Sequence, residues 1–323
     1  MAKLTKEGLK TLCATYVDAT KQLATYTASV NDITKMLDKI SKTVTIVGDE
    51  RPDYLPMLDG EMIPYGDAIE EYFMDFVAPI DHDDTGAGTL APHDPTFEDC
   101  TYTYSLEPKD IVITERYYKY NTALTDASAS ASLIADLYMK FSDSTDMFKL
   151  AIKKQLLGNV IKKATESTNA TALVSTLAIP TDTATGEAFI KAVKNCVTDA
   201  KFANTNSIKG ILNKGTNPSN LTLFIKKGIL SSLSVDTYSG AFNKEDLNTG
   251  VGRIVEVEDF GNDATGAWAL LADTRGIKLH TNWDITLTQL NAQGAFVNNW
   301  RHLKPTPFIS MATYVHVFKT GAQ

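Results

Sequence analysis

A chain of 323 residues with 43% hydrophobic and 22% charged content can bury a sizeable core, which excludes disordered and collagen-like classes. No apolar run approaches the roughly 20 residues of a membrane-spanning helix, and the opening MAKLTKEGLK lacks the apolar stretch of a signal peptide. The formal net charge of -8 argues against tight nucleic-acid binding, which depends on Lys and Arg neutralising phosphates, but leaves room for a surface that lies near DNA.

The chain is therefore expected to be intracellular at synthesis, with no membrane partner. From Leu9 onward, apolar or small residues recur in alternating steps of three and four: Leu9, Leu12, Tyr16, Ala19, Leu23, Tyr26, Val30, Ile33, Leu37, Ile40 and Val44. This heptad pattern predicts a helix over 1–45 that buries one narrow stripe, against either its own domain or another subunit. Between Asp49 and Phe97 the character changes, with prolines at 52, 56, 64, 79, 92 and 95 and an Asp/Gly-rich tip at Asp81–Gly88. Proline density forbids long helices there, and the tip marks a turn between two extended arms. Tyr102–Leu106 and Ile111–Thr114 read as strands, so the region is expected to form a long hairpin. Ile69, Tyr72, Phe73, Phe76 and Val77 follow helical spacing, but their proline-bounded context favours a strand.

Two helices are expected next, over 126–141 and 143–166, the second starting at Asp143-Ser144. The second presents Phe148, Ala151, Ile152, Leu156, Val160 and Ile161 on one side, and Lys149, Lys153, Lys154, Lys162 and Lys163 on the other. Those lysines are compatible with a solvated face or with a face turned to DNA. A Thr/Ala/Ser-rich stretch over 167–182 leads to a helix over 187–203, strands at 221–225 and 254–257, and a short helix around 226–233. From Trp268 the pattern becomes β, with runs at 268–272, 277–280, 285–290, 296–303 and 309–318, which indicates an antiparallel sheet.

Catalytic signatures are missing. His82, His93, His280, His302 and His316 have no metal-ligand spacing, and neither a phosphate-cradling glycine loop nor a nucleophile elbow occurs. Cys13, Cys100 and Cys196 lie too far apart for a metal knuckle and read as structural thiols. The cluster Asp81, His82, Asp83 and Asp84 lacks the fixed offsets of a calcium loop and reads as a solvated turn. Paired acids such as Glu70-Glu71, and the group Glu256, Glu258 and Asp259, read as solvated or interfacial faces. No catalytic, cofactor-binding or metal residues are assigned, and no enzymatic role is expected.

Three stretches, in order along the chain, carry a family resemblance. Gly60-Glu61-Met62-Ile63-Pro64-Tyr65-Gly66-Asp67-Ala68-Ile69-Glu70-Glu71 resembles the first arm of the extended loop in phi29-like podovirus major capsid proteins. Ala241-Phe242-Asn243, followed by Gly252-Arg253-Ile254-Val255-Glu256-Val257-Glu258-Asp259-Phe260, is similar to that family's axial-domain strand. Trp268-Ala269-Leu270-Leu271-Ala272-Asp273 and Gly294-Ala295-Phe296-Val297-Asn298-Asn299-Trp300-Arg301-His302 resemble its final sheet. The similarity runs from about residue 55 to residue 318; the chain departs from the family pattern in its long N-terminal heptads and in ending without an immunoglobulin-like domain.

The resemblance implies an α+β, HK97-like capsid fold with an N-terminal arm (1–57), an extended loop (58–122), a peripheral domain with a long spine helix (123–182 and 266–323) and an axial domain (183–265). It implies a major capsid protein of a tailed bacteriophage, assembled in the host cytoplasm and located in the virion. Its partners would be copies of itself in hexamers and pentamers around double-stranded DNA that is enclosed and not recognised. Scaffolding protein, portal and head decoration proteins are further candidate partners, and an encapsulin-type protein compartment is the alternative with the same fold.

Overall fold

The computed structural model describes residues 53–63, 68–74, 76–82, 94, 97–103, 107–116, 127–232, 251–261, 264 and 266–321. The N-terminal heptads and most of the Asp81–Gly88 tip lie outside the described residues. Strands follow as β1 (Asp59–Met62), β2 (Ala68–Met74), β3 (Phe97–Thr103), β4 (Lys109–Arg116), β5 (Val174–Thr176), β6 (Leu221–Lys226), β7 (Arg253–Val257), β8 (Ala267–Asp273), β9 (Ile277–Asn291), β10 (Phe296–Ile309) and β11 (Val315–Lys319). The helices are α1 (Ala127–Glu166), α2 (Ala170–Leu173), α3 (Thr183–Lys201) and α4 (Ile229–Ser232).

Two compact units emerge. The larger takes Pro52–Lys109, Asp146–Asp284 and Leu303–Gln323, and the smaller includes Asp110–Thr145 and Ile285–His302. The larger unit is built on a five-stranded sheet in the order β5-β11-β8-β6-β7. Every residue of β8 is buried, the mark of a central strand covered on both faces. On one face Leu270 and Ala272 join Leu156, Leu157, Val160 and Ile161 of α1. On the other, Trp268 and Leu271 join Phe189, Val193 and Val197 of α3, with the Trp268 and Phe189 rings 4.7 Å apart. Each large apolar side chain buried in these layers contributes about 1.5–3 kcal/mol, so the helix–sheet–helix stack is the main source of stability. In the smaller unit the side chains of β4 and β10 meet in reverse order: Asp110 bonds His302, Thr114 bonds Asn298, and Arg116 lies over Phe296.

Several sequence expectations need correction. The two helices expected over 126–141 and 143–166 are one 40-residue helix, α1. No proline or glycine interrupts 127–157, and Thr145, from the expected capping region, is buried with its hydroxyl donating to the Phe141 carbonyl at 3.1 Å. The helix α3 begins four residues earlier than the expected 187, because Asp182 and Thr185 form a reciprocal cap: the Thr185 N–H donates to Asp182 at 2.8 Å, and the Asp182 N–H to the Thr185 hydroxyl at 3.2 Å.

The β region is also more continuous and less uniformly antiparallel than expected. The runs 277–280 and 285–290 are one strand, β9, and β10 extends through Pro305 and Pro307 to Ile309. The Ser310 N–H donates to the Gly276 carbonyl at 2.7 Å, so even-numbered donors of this stretch face the incoming chain of β9, and the two odd-numbered prolines lack a donor only on the opposite side. Expected 309–318 shortens to Val315–Lys319. β8 is antiparallel to β6 and β11, but β5 on β11 and β7 on β6 are parallel. The sheet combines β6 and β7 from the expected axial segment with β5, β8 and β11 from segments expected to be peripheral, so the boundary placed at 265/266 runs through one sheet.

Within that sheet the buried His316 Nε2 and the Ser175 hydroxyl hydrogen-bond at 2.8 Å across β11 and β5. Burial pushes the imidazole down from 6.5 to about 4, against smaller opposing effects of the Ala172 backbone and the Asp199 carboxylate. The unfolded chain therefore takes up a proton that the folded chain refuses, and this contribution to stability is complete above pH 6.5 and lost as pH falls towards 4. It amounts to about 3 kcal/mol. Urea unfolding of the unassembled subunit should weaken across that window, and His316→Gln should flatten the slope there; an unchanged slope would contradict the assignment.

Candidate functional site

The hairpin of β2 and β3 is paired antiparallel from Ala68 opposite Thr103 to Met74 opposite Phe97. Strand alternation sends its side chains to two different fates. Ile69, Glu71 and Phe73 are half-buried on the inner face, whereas Glu70, Tyr72 and Met74 are exposed on the outer face. The exposed row continues along the chain: Tyr72, Met74, Phe76, Val77 and Ile80 are each 59% to 74% accessible. Contiguous apolar exposure of this kind marks an interaction surface. Ile69, Tyr72 and Phe73 thus lie in a strand despite their helical spacing.

The inner face docks on the body through directed bonds. Glu71 Oε2 accepts from the Tyr102 hydroxyl at 2.7 Å, and Oε1 accepts from the Ser310 hydroxyl at 2.6 Å. The Tyr102 oxygen in turn accepts the Met311 N–H at 3.0 Å, and its ring meets Phe308 edge-on at 5.1 Å. Burial and the Glu71 carboxylate push the Tyr102 hydroxyl up, so it stays a donor at physiological pH. Beside them Lys209 pairs with Glu98 and lies 5.8 Å from the Phe73 ring centre.

The lysine side of α1 is another anchoring surface. Lys153 is 1% accessible and pairs with Asp53 and, at 2.6 Å, with Asp59. Lys149 reaches Asp284 at 3.4 Å, and Lys154 pairs with Glu258. Carboxylates of the same chain thus pair with these three lysines, for which the sequence left a solvated face and a DNA-facing one open. Lys162 and Lys163 are exposed.

The remaining acids and histidines do not converge. Glu70 accepts from Tyr72 at 2.5 Å on the face opposite Glu71, Glu256 accepts the Gly228 N–H at 2.9 Å, and Asp259 accepts the Gly261 N–H at 2.8 Å. His280 Nδ1 meets the Glu61 carbonyl at 2.9 Å, and His302 Nδ1 meets Asp110 at 2.6 Å. Ser175 and His316 hydrogen-bond within the sheet, the imidazole buried and the hydroxyl half-buried. Among the described residues no group of His, Cys, Asp and Glu could hold a metal ion, and no helix is long and apolar enough to cross a membrane.

Two glycines in the resemblance motifs have steric reasons. A side chain at Gly60 would strike the His280 ring, and one at Gly252 would strike the Ser219 carbonyl, where the Gly252 N–H also bonds Pro218 at 3.0 Å. Ser310 and Met311 were not singled out in the sequence, since nothing in local spacing relates Glu71 to a residue 239 positions away.

A long helix packed on a sheet, with a hairpin docked by its inner face and exposed on its outer one, makes a mixed fold of the HK97-like class. Solved structures agree. The capsid structure of Staphylococcus phage Andhra shares 11% identity over 87% of each chain, with a TM-score of 0.68. A chain from the head fiber and inner core protein structure of native bacteriophage P68 shares 10% identity over 87% of this chain and 88% of that one, with a TM-score of 0.62. For the mature capsid of bacteriophage PhiM1 the values are 11%, 87%, 91% and 0.55. At these identities the likeness establishes the fold. The family described as Phi29-like phage major capsid protein matches residues 9–319, and the chain belongs to it: it is a major capsid protein of a tailed phage. That membership decides between the phage head and the protein compartment left open by the sequence. No curated protein matches the chain.

The Lys153 anchor yields a direct expectation. Replacing Lys153 with Ala removes both ion pairs and leaves a cavity, and should destabilise the unassembled subunit by about 3 kcal/mol in urea unfolding. Asp59→Asn should cost less than about 1 kcal/mol, because that carboxylate is 54% accessible. Equal effects of the two would show that burial of the ammonium does not govern the site.

Proposed function

We propose that the chain builds an icosahedral shell of hexamers and pentamers of itself, with the β2–β3 hairpin laid across a neighbouring copy. The observation that carries this reading is the exposed apolar row from Tyr72 to Ile80, on a hairpin whose other face is already docked on its own body. A single chain that closes a shell needs heterologous contacts repeated around each capsomer. A strap reaching beyond its own core supplies them, and many modest contacts sum to a stable particle while each stays reversible during assembly.

Within this reading, residues 1–57 form the N-terminal arm and 58–122 the extended loop. Residues 123–182 and 266–323, with α1 as spine, form the peripheral domain and 183–265, with α3, the axial domain, both contributing strands to the five-stranded sheet. Packaged double-stranded DNA is enclosed without being gripped. The net charge of -8 and the pairing of Lys149, Lys153 and Lys154 with carboxylates support this, since a lining of free lysines would trap phosphates. The role is structural, without catalysis. Assembly takes place in the host cytoplasm, with scaffolding protein, portal and head decoration proteins as partners.

The test is the double variant Tyr72→Asp, Phe76→Asp. Both side chains are exposed in the subunit, so its urea unfolding should stay within about 0.5 kcal/mol of wild type. Sedimentation and electron microscopy should show loss of shells. Normal particle yield would overturn the reading.

A further inference from the structure

We propose that Glu71 is the positioning residue of the assembly: its joint with Tyr102 and Ser310 sets the direction in which the hairpin leaves the body, and with it the curvature of the shell. The proposal rests on the reading of the hairpin as the strap between copies. It starts from the difference in kind among the contacts beneath the hairpin. The Lys209–Glu98 pair is half exposed on both sides, and ring packing of Tyr102 on Phe308 and of Lys209 on Phe73 is short-ranged but broad in angle. These contacts tolerate rocking. The chain of hydrogen bonds Ser310 to Glu71, Tyr102 to Glu71 and Met311 to Tyr102, at 2.6, 2.7 and 3.0 Å, does not, because hydrogen bonds weaken steeply with misalignment. Two of the three end on one carboxylate, and charge-assisted bonds are the stronger kind.

The position of this joint gives it leverage. Glu71 precedes the first exposed apolar residue, Tyr72, and the row runs on to Ile80. At about 3.3 Å per extended residue, Ile80 lies up to about 30 Å from the joint, so a tilt of about 5° there displaces the far end by about 2.5 Å. That is comparable to the misfit that separates one contact geometry from another in a packed interface. The joint is dispensable for folding itself: backbone pairing holds β2 to β3, and neither apolar core includes Glu71 or Tyr102. Its two body-side partners, Ser310 and Met311, sit in the irregular link between β10 and β11, so the hairpin's direction is referred to the frame of those two strands.

The test compares Glu71→Ala, Ser310→Ala and Glu71→Gln in the full chain. Unassembled subunits are followed by thermal unfolding and by hydrogen exchange over 68–74 and 97–103, and assembled particles are sized by electron microscopy. Glu71→Ala should leave the unfolding midpoint of the body unchanged and speed exchange in the hairpin. Its particles should lose their single diameter, giving a broad spread, open sheets or tubes. Glu71→Gln, which can still accept from one hydroxyl, should recover most of the uniform size. Should Glu71→Ala fail to fold, Ser310→Ala decides, since it leaves the Glu71–Tyr102 bond in place and removes only a hydroxyl that donates to Glu71 and accepts the Ala312 N–H at 3.2 Å; the same broadening is expected. Faster hairpin exchange with particles of wild-type diameter would overturn the proposal, as would unchanged exchange in both alanine variants. If the Tyr72→Asp, Phe76→Asp variant assembles normally, the strap reading itself fails; if that variant blocks assembly while the joint variants give wild-type diameters, only the joint proposal fails.

Discussion

The ammonium of Lys153, buried on α1 between Asp53 and Asp59, is the contact on which the rest of the larger unit depends. A lysine this enclosed is tolerated only when opposite charge and hydrogen bonding replace the lost water. The two carboxylates flank a short 3-10 turn, Pro56–Leu58, and Leu55 just before it and Leu58 at its end are fully buried in the α1 core. Once that turn is seated, Asp59 enters β1, which pairs in parallel with β9 opposite Leu279. The Lys278 ammonium also donates to the Met57 carbonyl at 2.9 Å. One cation thereby fixes where the chain begins its excursion into the hairpin, and every later contact of the hairpin inherits that starting point.

From that point the structure separates two jobs that apolar and polar contacts do differently. Apolar burial is non-directional and scales with area, so the sheet between α1 and α3 supplies stability without dictating fine orientation. Polar contacts carry the orientation: Lys153 at the base of the excursion, Glu71 at the hairpin, and Asn299 in the smaller unit, where its amide donates to the buried Glu115 at 2.9 Å and its oxygen accepts from Thr288 at 3.0 Å. Each of these polar groups is at least partly withdrawn from water and holds two partners. A lost partner would therefore cost more than the bond itself is worth.

How much of this was legible in the sequence follows from the range of each signal. Elements fixed by local periodicity appear where expected: α3 from its apolar stripe, β6 and β8 from continuous hydrophobic runs, and β2 once its proline-bounded setting outweighed the helical spacing of Ile69, Tyr72 and Phe73. Local signals misled where tertiary context overrode them. Asp143 and Ser144 look like a helix start, yet α1 passes through them because Thr145 satisfies its hydroxyl within the helix. Pro305 and Pro307 look like strand breakers, yet both fall on the side of β10 away from β9. The candidate surfaces depend on pairs far apart in sequence. Lys153 and Asp53 are 100 residues apart, and Lys154 and Glu258 are 104 apart. No window on the lysine face could show that Lys149, Lys153 and Lys154 have carboxylate partners elsewhere in the chain.

The same long-range pairing has a consequence for how a shell subunit of this kind can be both adaptable and exact. A strap that held its neighbour only by apolar contact would slide, because neighbouring registers bury similar area. A strap that was rigid throughout could not serve capsomers of different symmetry. Here the outer face of β2 offers Tyr72 and Met74, the chain beyond it exposes Phe76, Val77 and Ile80, and the inner face offers one polar joint at Glu71. Affinity can then be spread over many weak and interchangeable contacts while direction is concentrated in a few hydrogen bonds near the pivot. Small changes at the pivot are amplified along the hairpin, whereas a change at any one residue of the row alters strength more than angle. On the proposal made for the hairpin, this separation lets contact strength and shell geometry vary independently in one chain.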